Sequence, residues 1–218
     1  MGAAGDDANG TDAGAAFVFV RSGTTWGYQQ KLNPSDGLSS LDYFGGLVSL
    51  SGDTAMVPAW GDDNPRGVDA GSVYIFVRSG TVWSQQAKLT ASDGDRFGCR
   101  PSLSGDMAMV GSYTNDSANG TDAGAAYIFL RDGTTWTEHQ KLIASDGEAS
   151  DQFGSAAAVK GDMAVVGARY DDDRDTNAGA VYIFEHLDSL PIPEPSTIAL
   201  LLLAALFGLA CVLRHRRA

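Results

Sequence analysis

The stretch DQFGSAAAVKGDMAVVGA, residues 151–168, decides how this chain folds. It places Phe-Gly, then Gly-Asp, then a run of small apolar residues closing on Gly-Ala. The same order occurs twice upstream. Phe44-Gly45 precedes Gly52-Asp53 and Ala55-Met56-Val57, and Phe97-Gly98 precedes Gly105-Asp106 and Ala108-Met109-Val110-Gly111. A spacing of roughly 55 residues over three copies is the mark of a repeat architecture, in which each unit buries its faces against its neighbours.

Each copy reads strand by strand. A short strand is expected after each Phe-Gly, at residues 47–50, 101–103 and 156–159. Gly-Asp then supplies the positive φ of a tight hairpin. The second strands, at residues 55–57, 107–110 and 163–166, are continuously apolar and are expected to be buried on both faces. An acidic Asn/Gly-rich loop ends in Ala-Gly. The third strands, at residues 17–20, 73–77, 127–130 and 181–184, are aromatic and β-branched. Turns at Ser22-Gly23, Ser79-Gly80 and Asp132-Gly133 lead into a fourth strand that alternates. Trp26, Tyr28, Gln30 and Leu32 are expected on one face, as are Trp136, Glu138, Gln140 and Leu142, with Lys31, Lys88 and Lys141 on the other. Lysines along an outer strand keep an exposed edge from pairing with other chains. Four antiparallel strands running from buried to wet describe a propeller blade.

The chain starts in the loop before a third strand, so its first unit is expected to hold two strands. Two complete units follow, and the last has three strands, giving thirteen in all. The fold expected for residues 1–187 is therefore all-β, a partial or open β-propeller of four-stranded antiparallel blades with incomplete first and last blades. Pro58 and Pro101 interrupt two strands and are expected at edge irregularities. No basic segment followed by an apolar one marks a signal peptide at the N-terminus, and missing upstream sequence is the expected reason.

Phe-Gly, Gly-Asp, the apolar run closing on Gly-Ala and the Ala-Gly-x-Val-Tyr-Ile-Phe strand together resemble the FG-GAP repeat in its bacterial form. That repeat also builds the seven-bladed propeller of integrin α-subunits. Integrin-like blades bind calcium through alternating Asp/Asn, a Gly and a later Asp. The resemblance makes calcium the candidate ion, and Asp171, Asp173 and Asp175 keep the alternation. Thr176 stands where the Gly belongs, and the later Asp is missing. Turn-capping by these acids is the competing reading. Asp42, Asp95 and Asp151, and the Ser-Asp-Gly acids Asp36, Asp93 and Asp146, are likewise expected in turns. The recurring Trp26, Trp83 and Trp136 are expected to pack between sheets rather than to form a sugar platform.

Beyond residue 187 the composition changes. Residues 188–196 form a Pro-rich linker containing Pro193-Glu194-Pro195. Residues 197–213 are apolar and uncharged, and Arg214, Arg216 and Arg217 close the chain. About 17 residues of helix span roughly 25 Å, just short of a hydrocarbon core of ~30 Å. One C-terminal transmembrane helix is therefore expected within 197–218. The arginines stay on the cytoplasmic side, and the repeats lie outside. The Pro-Glu-Pro motif, the apolar helix and the basic end resemble the PEP-CTERM sorting signal. This implies export, an exosortase-type processing partner, and a place in the cell envelope with later release or surface anchoring.

The remaining chemistry is sparse. A net charge of −12 leaves no basic footprint for nucleic acid. Cys99 and Cys211 make neither a disulfide framework nor a zinc site. His139, His186 and His215 are scattered, no serine has a nucleophile-elbow context, and equal copies argue against one special catalytic position. The expected function is non-catalytic surface interaction or adhesion toward a surface protein or polysaccharide. The alternatives are a structural envelope or matrix protein without a specific ligand, and a fragment of a larger propeller-bearing enzyme.

Overall fold

The computed structural model describes residues 1–93 and 96–187. It is all-β, with fourteen strands: β1 (Gly2–Ala3), β2 (Ala15–Ser22), β3 (Thr25–Leu32), β4 (Ser49–Ser51), β5 (Thr54–Ala59), β6 (Ser72–Ser79), β7 (Val82–Leu89), β8 (Cys99–Ser104), β9 (Met107–Ser112), β10 (Ala125–Asp132), β11 (Thr135–Leu142), β12 (Phe153–Lys160), β13 (Met163–Ala168) and β14 (Ala180–Phe184). They form four antiparallel sheets ordered β1-β2-β3, β4-β5-β6-β7, β8-β9-β10-β11 and β12-β13-β14. We call these sheets 1 to 4. The count exceeds the expected thirteen because Gly2–Ala3 pairs with Ala15 and Ala16, giving sheet 1 a third strand. The expected helix over 197–213 and the boundaries within 188–218 lie outside the described residues. Among the described residues no helix is long and apolar enough to cross a membrane.

Consecutive sheets pack face to face, because each sheet has two apolar faces and only its neighbours can cover them. Ala16 and Leu32 of sheet 1 meet Val57, Tyr74, Phe76 and Trp83 of sheet 2. Met56, Ile75 and Leu89 of sheet 2 meet Val110, Tyr127, Phe129 and Trp136 of sheet 3. Met109, Ile128 and Leu142 of sheet 3 meet Val166 and Tyr182 of sheet 4. Each aromatic ring so buried contributes about 2–3 kcal/mol.

The fourth strand departs from simple alternation. Ile75 pairs with Ala87 but Phe76 pairs with Gln85, so Gln86 is an extra residue. Gln29 and His139 hold the same place in β3 and β11. An added residue turns everything beyond it to the opposite face. Trp83 therefore faces sheet 1 while Leu89 faces sheet 3, where strict alternation expected them together.

A second correction concerns the buried second strands. Thr54–Ala59 and Met107–Ser112 are buried throughout, but Met163–Ala168 alternates, with Met163 and Val165 exposed. No described sheet lies beyond sheet 4 to cover that face. For the same reason Trp26 of sheet 1 is 65% exposed, whereas Trp83 and Trp136 are 6% and 9% exposed. The prolines sit where a missing N–H does no harm. Pro58 lies outside the pairing with β4, whose first residue, Ser49, is opposite Met56, and Pro101 lies in a register shift of β8, an edge strand.

Candidate functional site

The strand order puts short hairpins at one end of every sheet and long loops at the other. One long loop joins the second and third strands, and in sheets 1 to 3 another leads to the next sheet. The two are locked together. Phe97 N donates to Ala70 O at 2.9 Å, and Phe153 N donates to Ala123 O at 2.9 Å. A Cβ on Gly71 would lie 1.9 Å from Phe97 O, and one on Gly154 would lie 2.3 Å from Ala125 O. Both glycines also have positive φ, 77° and 90°, which other residues adopt only with strain. Phe-Gly and Ala-Gly thus recur because the two backbones touch. The Phe ring then enters the next sheet, where Phe97 stands 5.5 Å edge-on to Tyr127 and Phe153 stands 5.3 Å from Tyr182.

A polar latch sits beside each ring. Lys88 Nζ lies 2.6 Å from Asp36 Oδ2 and 2.8 Å from Asp62 Oδ2. Tyr74 Oη donates to Asp62 Oδ1 at 3.1 Å, and Ser72 Oγ to Asp62 Oδ2 at 2.6 Å. Asp36 comes from the loop leaving sheet 1, so the latch joins two sheets. Burial resists the charge on Asp36, but the hydrogen bond and charge of Lys88 outweigh it and hold the carboxyl below its ordinary range. Burial likewise opposes the charge on Lys88, but Asp36 and Asp62 raise its pKa above the ordinary value. Burial beside Asp62 and Asp36 pushes the Tyr74 phenol up strongly. In sheet 3 the latch is Asp93, Tyr127, Lys141 and Asn115, with Lys141 Nζ donating to Asn115 Oδ1 at 2.8 Å. In sheet 4 Tyr182 Oη donates to Asp171 Oδ2 and to Asp146 Oδ1, each at 2.9 Å. The Ser-Asp-Gly acids thus cross between sheets, a role that turn chemistry does not reveal.

The other acids mostly shape loops. Asp42 accepts from Ser39 N at 2.5 Å and Asp151 from Glu148 N at 2.7 Å, as expected of turn acids. Burial raises both carboxyls. Asp95 lies outside the described residues. Asp63 accepts from Asp69 N and Asp116 from Asp122 N across the long loops. Asp12, Asp69, Asp122 and Asn177 all adopt φ of 51–53°, the left-handed conformation that Asp and Asn tolerate best. Of the three residues read as calcium ligands, Asp171 is buried in the latch, while Asp173 and Asp175 are exposed. Among the described residues no group of three or more His, Cys, Asp or Glu converges on a metal position. Cys99 is a free thiol whose burial lifts its pKa to about 11, so it resists ionisation.

Where the latch repeats, the neighbouring position changes. Register equates Trp60, Tyr113 and Arg169, each just past the end of a second strand. Trp60 stacks on Tyr43 with centroids 3.9 Å apart and planes at 7°. Arg169 lies 5.2 Å over the Tyr113 ring and 4.7 Å over the Tyr170 ring, and donates to Gln152 at 2.7 Å. Trp60 and Tyr113 are half-buried and Arg169 is exposed, and each lies at the start of an acidic loop. The sequence reading passed over it, because only alignment of the copies on Gly-Ala shows a position that varies.

A family model for the FG-GAP repeat matches residues 26–76, 83–129 and 136–184. One for the PEP-CTERM protein-sorting motif matches residues 191–217. No curated protein matches the chain. Each FG-GAP segment begins at the Trp of one sheet's fourth strand and ends in the third strand of the next. The unit of sequence therefore straddles two sheets, as the latch and the Phe-Gly crossing do. The sorting motif implies export to the cell envelope and handling by an exosortase-type enzyme. With its three segments covering more than half of the residues, the chain belongs to the FG-GAP repeat family and carries a PEP-CTERM protein-sorting motif at its C-terminus.

Proposed function

We propose that this is a non-catalytic β-propeller protein of the cell envelope, sorted through its C-terminus and used for adhesion. The first strands of successive sheets adjoin. Leu103 N and Gly105 N donate to Ser49 and Ser51, and Val159 N and Gly161 N donate to Ser102 and Ser104. Inner strands touching in series, with tryptophan-bearing strands outside, support blades set around an axis in an open arc. The apolar segment 197–213 holds the arc at the outer face of the membrane. Arg214, Arg216 and Arg217 fix that orientation, and cleavage follows near Pro195.

One observation carries the binding role. The repeated polar groups are spent in latches between sheets, while Trp60, Tyr113 and Arg169 differ at one equivalent rim position. Aromatic faces beside acids and an arginine suit the C–H faces and hydroxyls of an extracellular polysaccharide. The test is binding of the full-length protein to polysaccharide extracted from the producing cell surface. Trp60→Ala with Tyr113→Ala should lower the retained fraction about tenfold without loss of folding. Equal retention by both proteins would move the reading to an envelope or matrix component without a specific ligand.

A further inference from the structure

One pair of arginines breaks the repeat. Arg100 stands three residues after Phe97, where the other copies have Leu47 and Ala156, and Arg169 stands where they have Trp60 and Tyr113. Arg100 alone of its three equivalents has positive φ, 53°. Pro101 follows it, and the residue before a proline is ordinarily extended. Backbone strain of this kind persists only where the surroundings hold it, and it gathers at functional sites. Here the hold crosses from sheet 3 to sheet 4, with Arg100 Nε donating to Ser155 O at 2.9 Å.

Both guanidinium groups grip one turn. Arg169 Nε donates to Gln152 Oε1 at 2.7 Å, and Ser155 N donates to Gln152 O at 3.1 Å. The ends of such a turn lie within about 7 Å of each other. Each arginine thus spends its Nε on the chain. Among the described residues neither Nη pair meets an acceptor, and no carboxylate lies within ion-pair distance of either. Arg78 and Arg131, by contrast, are held by Asp53 and Asp106. Tyr113 and Tyr170 fix the plane of Arg169, which lies over both rings. Arg100, Arg169 and Tyr170 are exposed, and Tyr113 is half-buried.

Two anchored guanidinium forks within one turn of each other suit a carboxylate, which such a fork takes through two parallel hydrogen bonds. The tyrosine faces beside them suit the C–H face of the ring that carries it. General attraction for polyanions is not the source, since a net charge of −12 repels them at long range. We propose that this patch between sheets 3 and 4 selects carboxylate-bearing sugars, the uronic acid residues of an extracellular polysaccharide. The selection rests on the polysaccharide reading above and adds a charge class to it.

The test uses the full-length protein in mild detergent and three immobilised probes: polygalacturonate, its fully methyl-esterified form, and polysaccharide extracted from the producing cell surface. Polygalacturonate should be held about tenfold more tightly than the ester, which keeps the ring and loses the charge. Arg100→Gln and Arg169→Gln should each abolish that preference. Arg169→Lys keeps the charge without the fork and should keep only part of it. Arg66→Gln, at an exposed arginine in the long loop of sheet 2, should leave it unchanged. Circular dichroism checks each fold, and if Arg100→Gln does not fold, Arg169→Gln decides, being an exposed side chain past the end of β13. Equal retention on acid and ester would overturn the selection and leave the polysaccharide reading standing. So would a preference that survives both substitutions, or retention on the surface extract without retention on polygalacturonate. Retention on none of the three would overturn both.

Discussion

Gln86, the extra residue in β7, accepts the indole N–H of Trp136 at 2.9 Å. Gln29, in the same place in β3, accepts that of Trp83 at 3.1 Å. The bulge does two things with one residue. It turns Trp and Leu of the same strand to opposite faces, and it aims an amide at the next sheet's tryptophan. Gln86→Ala should cost about 1 kcal/mol, the usual value of a lost hydrogen bond, in denaturant unfolding. Deleting Gln86 puts Trp83 and Leu89 on one face and should cost at least about 3 kcal/mol, as for loss of a core aromatic. Equal costs would mean that the bulge does not set the faces.

The glycines separate into two kinds. Gly80 and Gly71 both have positive φ, at 62° and 77°, but only Gly71 is crowded, with Phe97 O 1.9 Å from a built Cβ. Gly80→Ala should cost about 1 kcal/mol through backbone conformation alone. Gly71→Ala must also push the Phe97 backbone away and should cost at least about 3 kcal/mol. Thermal unfolding of the two variants makes the comparison.

The latch predicts a pH window. Against the opposing effect of burial, Lys88 lowers Asp36 below its ordinary 3.8. That contribution is complete above 3.8 and is lost as the pH falls through the lowered folded value. Lys88 is raised above its ordinary 10.5 despite burial, so its contribution is complete below 10.5 and is lost as the pH rises through the raised value. Asp42 and Asp151 are raised by burial and act in the opposite sense in acid, largely alike in wild type and a Lys88 variant. Lys88→Met should therefore cost about 2 kcal/mol near neutrality, and less below pH ~4. A gap that stays constant from pH 3 to pH 8 would remove the ion pair from the account.

Calcium at the last acidic loop is decided by titration. Asp171 accepts a hydrogen bond from Tyr182, and Asp173 and Asp175 are exposed. If these three bind the ion, millimolar calcium should raise the melting temperature through preferential binding to the folded state, and Asp173→Ala should abolish the increase. No shift over that range would leave the acids as turn caps.

Strands were legible because their signals are local. The aromatic run Val73 to Val77 and the Gly52-Asp53 turn fall within a few residues and lie where expected. The bulge was not legible, because an extra Gln changes face without changing composition. The doubled Gln29-Gln30 and Gln85-Gln86 between Trp and Lys were its one trace. The latch joins Asp36 to Lys88, 52 residues apart, and spacing within a repeat does not pair residues of different repeats. Trp26 reads like Trp83 in sequence and differs in exposure, because among the described residues no sheet packs on that face of sheet 1.

The central claim is that an FG-GAP array is delivered to the cell envelope and processed through its tail. Mass spectrometry of the mature C-terminus tests it most directly, using the chain behind a working signal peptide in a host with an exosortase. A C-terminus near Pro195 is expected, with Glu194→Ala leaving membrane insertion intact and blocking the cut. Exchanging Arg214, Arg216 and Arg217 for Glu should disturb orientation instead, because placing guanidinium groups in hydrocarbon costs several kcal/mol. An intact Ala218 on the mature protein in that host would contradict the claim and leave the tail a plain anchor.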